Sequence, residues 1–225
     1  MKEQQAELLV DLMQISDNFL IKHHFEYQHF CGVVIISDRW LITAAHCIVN
    51  VRLLPVNVVV GSHLLNSGGI VHQSSRLVPH PEYNATWISN DVGAVETATT
   101  IVFTTYVQRI EMASEPTSGG VNAIVSGWRG TTVDGGPAPD NLQWLRTTTL
   151  TNSDCRERLG ESAGFVFDHK ICTLTRAGEG ICQGDSGGPL VVDNKVIGIV
   201  SWNTPCARGL PDGFDRTYRI FVNGF

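Results

Sequence analysis

Ser186, near the C-terminal end of the chain, lies in a sequence that could make it a nucleophile. It is the third residue of Gly184–Pro189, which reads Gly-Asp-Ser-Gly-Gly-Pro. A serine hydroxyl attacks a carbonyl only when a base accepts its proton and backbone N–H groups stabilise the oxyanion. Because Gly184 has no Cβ, a turn here can direct its own N–H and that of Ser186 toward one oxygen. The alternative is a glycine-rich turn between two strands.

Two upstream segments contain the groups that a nucleophilic serine needs. The segment 41–47 reads Leu-Ile-Thr-Ala-Ala-His-Cys and contains His46, while 90–95 reads Asn-Asp-Val-Gly-Ala-Val and contains Asp91. Taken separately, a histidine beside a cysteine is more often a packed residue, and an Asn-Asp pair is more often a turn. Their occurrence in the order His, Asp, Ser favours a catalytic interpretation of all three.

These three segments together resemble the trypsin/chymotrypsin family of serine endopeptidases, whose catalytic groups follow the same chain order. The resemblance covers residues 29–225. It implies that His46 is the general base, Asp91 the carboxylate that orients it, and Ser186 the nucleophile. It also assigns the oxyanion hole to the N–H groups of Gly184 and Ser186. Protein or peptide substrates and protein protease inhibitors are the partners that the resemblance implies.

From Phe30 onward the sequence consists of short runs rich in β-branched residues, separated by Ser, Asp, Gly, Asn and Pro. Many short strands without a helical period predict β-barrels or a sandwich. The resemblance implies an all-β fold of two six-stranded antiparallel barrels with a short C-terminal helix, which the sequence places at 218–225. We expect an atypical segment at 1–28, a first barrel at 29–108, and a second barrel at 109–225.

The composition excludes several other functions. The chain has 225 residues, a formal charge of -6 and no basic stripe, so nucleic acid is not an expected partner. No apolar run approaches the roughly 18–20 residues that span a bilayer, and we expect a soluble monomer. Asn84-Ala85-Thr86 matches the N-glycosylation pattern, a common tripeptide that is occupied only in some proteins.

The six cysteines favour disulfides over metal binding. They include no C-x-x-C pair and no histidines at ligand spacing, so neither a metal nor another cofactor is expected. The sequence by itself leaves all 15 pairings open. The resemblance implies the pairs Cys31–Cys47, Cys155–Cys172 and Cys182–Cys206. Disulfides form in oxidising compartments, so we expect an extracellular, secreted protein.

The resemblance also assigns a substrate pocket. Its floor residue is Gly180, with Ile181 beside it, where a preference for Lys or Arg would need an aspartate. Ser201, Trp202 and Asn203 would form the strand that pairs with the substrate backbone. Asp212 either reaches this pocket or is only a turn residue between Pro and Gly. A glycine floor combined with an aspartate at that position is similar to the broad-specificity, chymotrypsin-like and collagenolytic enzymes of arthropods.

The first thirty residues depart from the family pattern. Residues 1–15 read as a short amphipathic helix, and acidic residues interrupt its apolar positions, unlike a signal peptide. Relatives carry a basic cleavage residue followed by Ile-Val-Gly-Gly, whose freed ammonium pairs with the residue corresponding to Asp185. Because this chain contains no such start, we expect it to be nearly inactive as written. Further alternatives are a non-catalytic protease homologue and a misassembled first exon.

Three positions near the cleft also depart from the family pattern. Val33, Arg129 and Asn203 replace family glycines, and we expect them to add bulk near the cleft.

Overall fold

The chain folds into two β-barrels in a computed structural model that describes residues 17–23, 26–51, 55–128, 137–204 and 206–219. Six strands, β1 to β6, form the first barrel in the order β1-β2-β3-β6-β5-β4. Every neighbouring pair is antiparallel, and pairing of β1 with β4 closes the barrel. The bounds are β1 Asp17–His23, β2 Glu26–Ile35, β3 Trp40–Thr43, β4 Asn57–Val60, β5 Ile70–Pro79 and β6 Gly93–Thr97.

The second barrel follows in the order β8-β9-β10-β13-β12-β11, and pairing of β11 with β8 closes it. These six strands are also antiparallel, and the two-residue strand β7 adds to β12 in parallel. The bounds are β7 Glu111–Met112, β8 Asn122–Gly127, β9 Gln143–Leu150, β10 Lys170–Leu174, β11 Pro189–Val192, β12 Lys195–Trp202 and β13 Asp212–Arg216. The prediction of two six-stranded antiparallel barrels is therefore confirmed.

Helical structure in the described residues is short. The helix α1 covers Ala45–Ile48, and α2 covers Asn152–Leu159, where the Thr151 hydroxyl accepts a hydrogen bond from the Asp154 N–H and caps the helix. A 3₁₀ helix at Gly160–Phe165 continues from α2, and a second one occupies Thr217–Arg219 near the C-terminus. The C-terminal helix was expected at 218–225, and residues 220–225 lie outside the described residues. The helix expected at 1–15 also lies outside them.

The N-terminal boundary of the first barrel differs from the sequence prediction. The barrel begins at β1, residues 17–23, which lie inside the segment 1–28 that we expected to be atypical. The main chain of β1 pairs with β2 on one side and with β4 on the other. A barrel leaves no free edge only when its first and last strands pair, so these residues complete the ladder that β2 and β4 would otherwise leave open.

Val33 lies in the core and not in the cleft, which corrects the expectation that this residue adds bulk near the substrate. All five residues Cys31–Ile35 are buried, and Val33 is fully covered. Its methyl groups therefore fill the first barrel, where apolar burial stabilises the fold. Arg129, which raised the same expectation, lies outside the described residues.

Three glycines allow the two barrels to approach each other closely. Gly32 N donates to Ser186 O at 2.7 Å, and a Cβ on Gly32 would lie 2.9 Å from Gly188 Cα. Gly187 has φ +80°, and a Cβ there would lie 2.2 Å from Thr43 Oγ1. Any larger side chain at Gly32 or Gly187 would push the Ser186 turn away from the first barrel.

Three disulfides join Cys31 to Cys47, Cys155 to Cys172 and Cys182 to Cys206, the same pairs that the family resemblance implied. Among the described residues, no helix combines the length and the apolar character that crossing a membrane requires.

Candidate active site

The short helix α1 holds His46 at the edge of the first barrel. The Cys31–Cys47 disulfide ties the helix to β2, and Ala44, its N-cap residue, makes no side-chain cap. The Asp91 carboxylate supplies a cap from outside, because its Oδ1 accepts the His46 backbone N–H at 2.8 Å. The imidazole is about one-third exposed.

Asp91 holds the imidazole in one orientation. Its Oδ2 lies 2.7 Å from His46 Nδ1, and its side chain is completely buried. Burial by itself would raise the pKa of Asp91. The net shift is nevertheless downward, because His46 contributes a hydrogen bond and its charge, Lys170 its charge, and Ser201 a hydrogen bond. Asp91 is therefore ionised at neutral pH, so His46 carries its proton on Nδ1 and leaves Nε2 free to act as a base.

The Asn-Asp pair makes the bend that places this carboxylate. Asn90 has φ +53°, a left-handed conformation that asparagine tolerates better than most residues. Its side chain donates to Glu82 O, and its backbone N–H donates to His169 Nε2 at 3.1 Å. Because His169 belongs to the second barrel, this contact fixes the Asp91 loop against that barrel.

The Ser186 turn packs against the segment that leads into His46. Gly187 adjoins Thr43, three residues before His46, and the Gly187 N–H donates to Val200 O at 2.9 Å. The structure thus brings the three sequence-predicted residues to one junction between the barrels. Within the described part of the chain, no hydrogen bond joins the Ser186 hydroxyl to His46. Such contacts often tighten only when substrate is present.

Gly184 adopts the positive φ that its predicted role requires. Its φ is +96°, and its carbonyl accepts a hydrogen bond from His29 Nε2 at 3.0 Å. The Gly188 N–H donates to Asp185 O at 2.9 Å, which closes the turn around Ser186. These bonds restrain the backbone on both sides of Ser186, which preorganisation of an oxyanion site requires.

Comparison with known proteins identifies the family. The family model described as Trypsin matches residues 13–222. The chain is 38% identical over 192 residues to chymotrypsin-2 of Vespa crabro, covering 85% of each chain. It is 34% identical over 197 residues to alkaline trypsin B of Manduca sexta, covering 86% of this chain and 77% of the relative. Trypsin II-P29 of Gallus gallus is 33% identical over 193 residues, covering 84% and 75%.

The chain belongs to the trypsin family of serine endopeptidases. Protein or peptide substrates follow from membership of this family. The printed names of the relatives include both trypsins and a chymotrypsin, so they do not decide which side chain this protease prefers.

In this trypsin-family chain, Asp212 lies at the predicted pocket. It is buried at the start of β13, and its Oδ2 accepts the Ile181 N–H at 3.1 Å. The same oxygen lies 3.2 Å from where a Cβ on Gly180 would be. Burial raises the pKa of Asp212 to about 7, with a further contribution from the charge of Asp185, in spite of the hydrogen bond from Ile181. The carboxyl group of Asp212 therefore adjoins Gly180. That Asp212 contacts a substrate remains a prediction.

Each side chain of the segment 201–203 contacts other residues of the protein. The Ser201 hydroxyl donates to Asp91 Oδ2 at 2.7 Å. The Trp202 ring lies 2.0 Å from where a Cβ on Gly213 would be, so only glycine fits beneath it. Asn203 Nδ2 donates to Thr204 O at 3.2 Å. Pairing of this segment with a substrate backbone remains a prediction.

A cavity of about 200 Å³ reaches the Asp185 carboxylate from the side of β8 and β9. Asp185 Oδ2 accepts the Cys182 N–H at 2.9 Å, and a Cβ on Gly127 would lie 2.1 Å from Oδ1. The carboxylate thus lies directly against Gly127, in the part of the turn that the family resemblance links to activation.

One group of possible metal ligands occurs in the described residues, at Cys31, His46 and Cys47. The two sulfur atoms are joined to each other in a disulfide, so neither is a thiolate that could bind a metal. The absence of a metal cofactor stays a prediction.

Five residues around the site were not singled out from the sequence. His29 contacts the Gly184 carbonyl oxygen, and His169 accepts the Asn90 N–H. Lys170 and Asp215 form a buried ion pair. Burial, together with the charges of Asp91 and Asp215, raises the pKa of Tyr83 to about 12. The one usable signal was the charged Lys170 at the start of an apolar strand, since lysine is almost never fully buried without a partner.

Proposed function

We propose that this trypsin-family chain hydrolyses peptide bonds through an acyl-enzyme formed on Ser186. His46 accepts the Ser186 proton as the oxygen attacks the substrate carbonyl, and it then returns that proton to the departing amine. Water enters, His46 again acts as the base, and the acid product leaves. Asp91 stabilises the imidazolium, and the N–H groups of Gly184 and Ser186 stabilise the oxyanion.

The observation that carries this proposal is the contact between His46 and Asp91. Both carboxylate oxygens bind His46, one at the backbone N–H at 2.8 Å and one at Nδ1 at 2.7 Å. A packed structural histidine has no need of two such bonds to one buried carboxylate. The contact leaves Nε2 as the basic nitrogen of a ring that is partly exposed.

We further propose a preference for large apolar residues such as Phe, Tyr or Leu immediately before the cleaved bond. Gly180 places no side chain at the predicted pocket floor, and buried Ile181 contributes an apolar wall. A cationic substrate side chain would depend on Asp212, whose carboxyl group is only about half ionised at pH 7 because burial raises its pKa to about 7. An unpaired buried charge is costly, so cleavage after Lys or Arg should be weaker.

The three disulfides support secretion, because such bonds persist in oxidising compartments. We propose a secreted monomer that is controlled by protein protease inhibitors. The alternative is a non-catalytic homologue that binds a partner, and the missing hydrogen bond between Ser186 and His46 in the described residues keeps this alternative open.

Covalent labelling separates the two functions. The protein should react with an organophosphate at Ser186 in a one-to-one ratio, and Ser186→Ala should abolish both labelling and turnover of a Phe amide. Ser75→Ala removes an exposed hydroxyl from β5 and is the control that should change neither. A folded wild-type protein that neither labels nor turns over substrate would be the non-catalytic homologue. Full activity in Ser186→Ala would contradict the proposed nucleophile.

A further inference from the structure

A completely buried lysine lies behind the carboxylate that orients His46. Lys170 begins β10, and its side chain has no exposure to solvent. Its Nζ donates to Asp215 Oδ2, and it also donates to Ser201 Oγ at 2.9 Å. Removing an ammonium from water is costly unless it is paired and hydrogen-bonded, and Lys170 has both kinds of partner.

The contact with Lys170 restricts the direction of the Ser201 hydroxyl proton. An ammonium group only donates hydrogen bonds, so Ser201 Oγ must accept from Lys170. Its single proton is then available for a carboxylate: Asp91 Oδ2 accepts it at 2.7 Å, and Asp215 is also close enough to interact with this hydroxyl. Without Lys170 the hydroxyl could rotate, and Asp91 would lose a donor that helps to hold its carboxylate in place.

Asp215 balances the charge of Lys170. The two residues lie directly opposite each other on β10 and β13, and both side chains are buried. Burial raises the pKa of Asp215 to about 6; Lys170 offsets this only in part, and the charge of Asp91 adds to it. Above that pH Asp215 is ionised, so the Lys170–Asp215 pair carries no net charge. It then forms an ion pair behind Asp91.

The other titratable groups at this position are few among the described residues. Asp91 faces His46 and Lys170, and its charge also acts on Tyr83 and Asp215. Asp215 faces His169, whose Nε2 lies 3.7 Å from Asp215 Oδ1. The same Nε2 accepts the Asn90 N–H at 3.1 Å.

We propose that Lys170 and Asp215 are positioning residues for the catalytic groups. Lys170 orients the Ser201 hydroxyl toward Asp91. Asp215 offsets the positive charge of Lys170, which would otherwise weaken the attraction between Asp91 and protonated His46. This inference rests on the proposed function, because it assigns the pair a role only if His46 acts as the base. Neither residue reaches the substrate, so both act through Asp91.

Single substitutions should move the acid limb of the pH profile in opposite directions. Lys170→Met removes a positive charge, so protonated His46 persists to higher pH and the acid limb of kcat/KM moves upward. Asp215→Asn leaves Lys170 uncompensated, so the limb moves downward. We expect each shift to be roughly 0.5 pH unit. Lys170→Met should also lower kcat about 10-fold with little change in KM, since a charge-assisted hydrogen bond is lost.

Two further variants test for a merely structural role. Lys195→Met removes a half-exposed lysine whose Nζ lies 3.8 Å from Glu111, and it should leave the acid limb unchanged. The double variant Lys170→Met with Asp215→Leu replaces the buried pair by apolar side chains, a change that proteins often tolerate. The double variant should fold even where a single variant does not. Its kcat should stay low because the hydrogen bond from Lys170 to Ser201 is lost. Its acid limb should lie near that of the wild type because both charges are removed.

The role of Ser201 is tested by a double-mutant cycle. If Lys170 acts through Ser201, Lys170→Met should lower kcat far less in a Ser201→Ala background than in the wild type. Equal losses in both backgrounds would overturn the proposal, as would acid-limb shifts of the same sign in the two single variants. NMR titration of the His46 imidazole reports the same shifts without turnover. Opposite shifts in a protein that has no activity would therefore support the pair while contradicting the proposed function.

Discussion

Asp91 is the residue through which the other site residues act. It binds His46 twice, accepts from Ser201, and is affected by the charge of Lys170. These interactions hold its pKa below the usual value although burial opposes them. By the sign of that shift, the ionised form stabilises the fold above the pKa of the unfolded chain, and this contribution is lost as pH falls through the folded pKa.

Asp91→Asn should therefore lower kcat by roughly 10⁴. The amide has the same size but lacks the charge, and its NH₂ group favours the tautomer that carries the proton on Nε2. Pre-steady-state kinetics on a Phe amide would measure the loss. Asp140→Asn, on the exposed loop before β9, is a matched control that should keep wild-type kcat. Wild-type kcat in Asp91→Asn would refute the orienting role.

Asp212 should make substrate preference depend on pH. Its raised pKa of about 7 means that the folded protein ionises this carboxyl only as pH rises through neutrality. The ratio of kcat/KM for an Arg amide to that for a Phe amide should therefore rise between about pH 6 and pH 8. Taking the ratio removes the shared dependence on His46. In Asp212→Asn the ratio should stay flat, whereas an equal rise in that variant would show that Asp212 does not reach the substrate.

At the scale of elements, the active site depends on turns that dock one barrel onto the other. The Ser186 turn follows the Cys182–Cys206 disulfide and meets β2 and β3 through Gly187, Gly188 and Gly32. The helix α1 is tied to β2 by a disulfide and to the Asp91 loop by a hydrogen bond. Each catalytic group therefore lies at the end of an element whose main chain is held by the opposite barrel or by a cross-link.

Gly187→Ala tests this docking. The new Cβ would lie 2.2 Å from Thr43 Oγ1 and 2.4 Å from Gly32 O, so the turn must move away from His46. We expect nearly complete loss of turnover and a loss of stability on the order of 3 kcal/mol from combined crowding and strain. Thermal unfolding and Phe-amide hydrolysis would measure both effects.

Gly120→Ala is the matched control for that substitution. Gly120 has φ +83°, close to the +80° of Gly187, but a Cβ there meets nothing within 4 Å. It should show the cost of the positive φ without the crowding, and it should keep full turnover. Similar activity in the two variants would mean that the contact with Thr43 does not position the Ser186 turn.

At the scale of the whole molecule, activity should depend on how the Asp185 carboxylate is held. Asp185 lines the cavity of about 200 Å³ between β8, β9 and residues 178–182. Its Oδ2 accepts the Cys182 N–H at 2.9 Å, and this bond favours the turn that holds Gly184. Turnover is proportional to the population of that competent turn.

We therefore expect Asp185→Asn to lower the fraction of molecules that hold the competent turn, because a neutral amide oxygen accepts the Cys182 N–H more weakly than a carboxylate does. Active-site titration gives this fraction, and hydrolysis of a Phe amide should fall in the same proportion. Asp168→Asn removes an exposed carboxylate beside Arg156 and is the control, which should keep the wild-type fraction. A wild-type fraction in Asp185→Asn would refute this dependence.

The sequence by itself determined the chemistry and the fold class. Three short segments, each with a conformational reason for its residue types, indicated a base, a carboxylate and a nucleophile in one chain order. The short runs rich in β-branched residues predicted β-barrels or a sandwich, because strand propensity is local and is present in consecutive residues. The family resemblance implied the two six-stranded barrels. The strand β1 was not anticipated, because it lies inside the segment 1–28 that we expected to be atypical.

Only the tertiary structure decided which distant residues meet. Lys170 and Asp215 are 45 residues apart, and Ser201 and Asp91 are 110 apart. No local period encodes such pairs, because they depend on strand register and on how the two barrels dock. The same reason applies to Asp212, which is a plain Pro-Asp-Gly turn in the sequence. It becomes a buried carboxyl group beside Gly180 only when β13 pairs with β10 and β12.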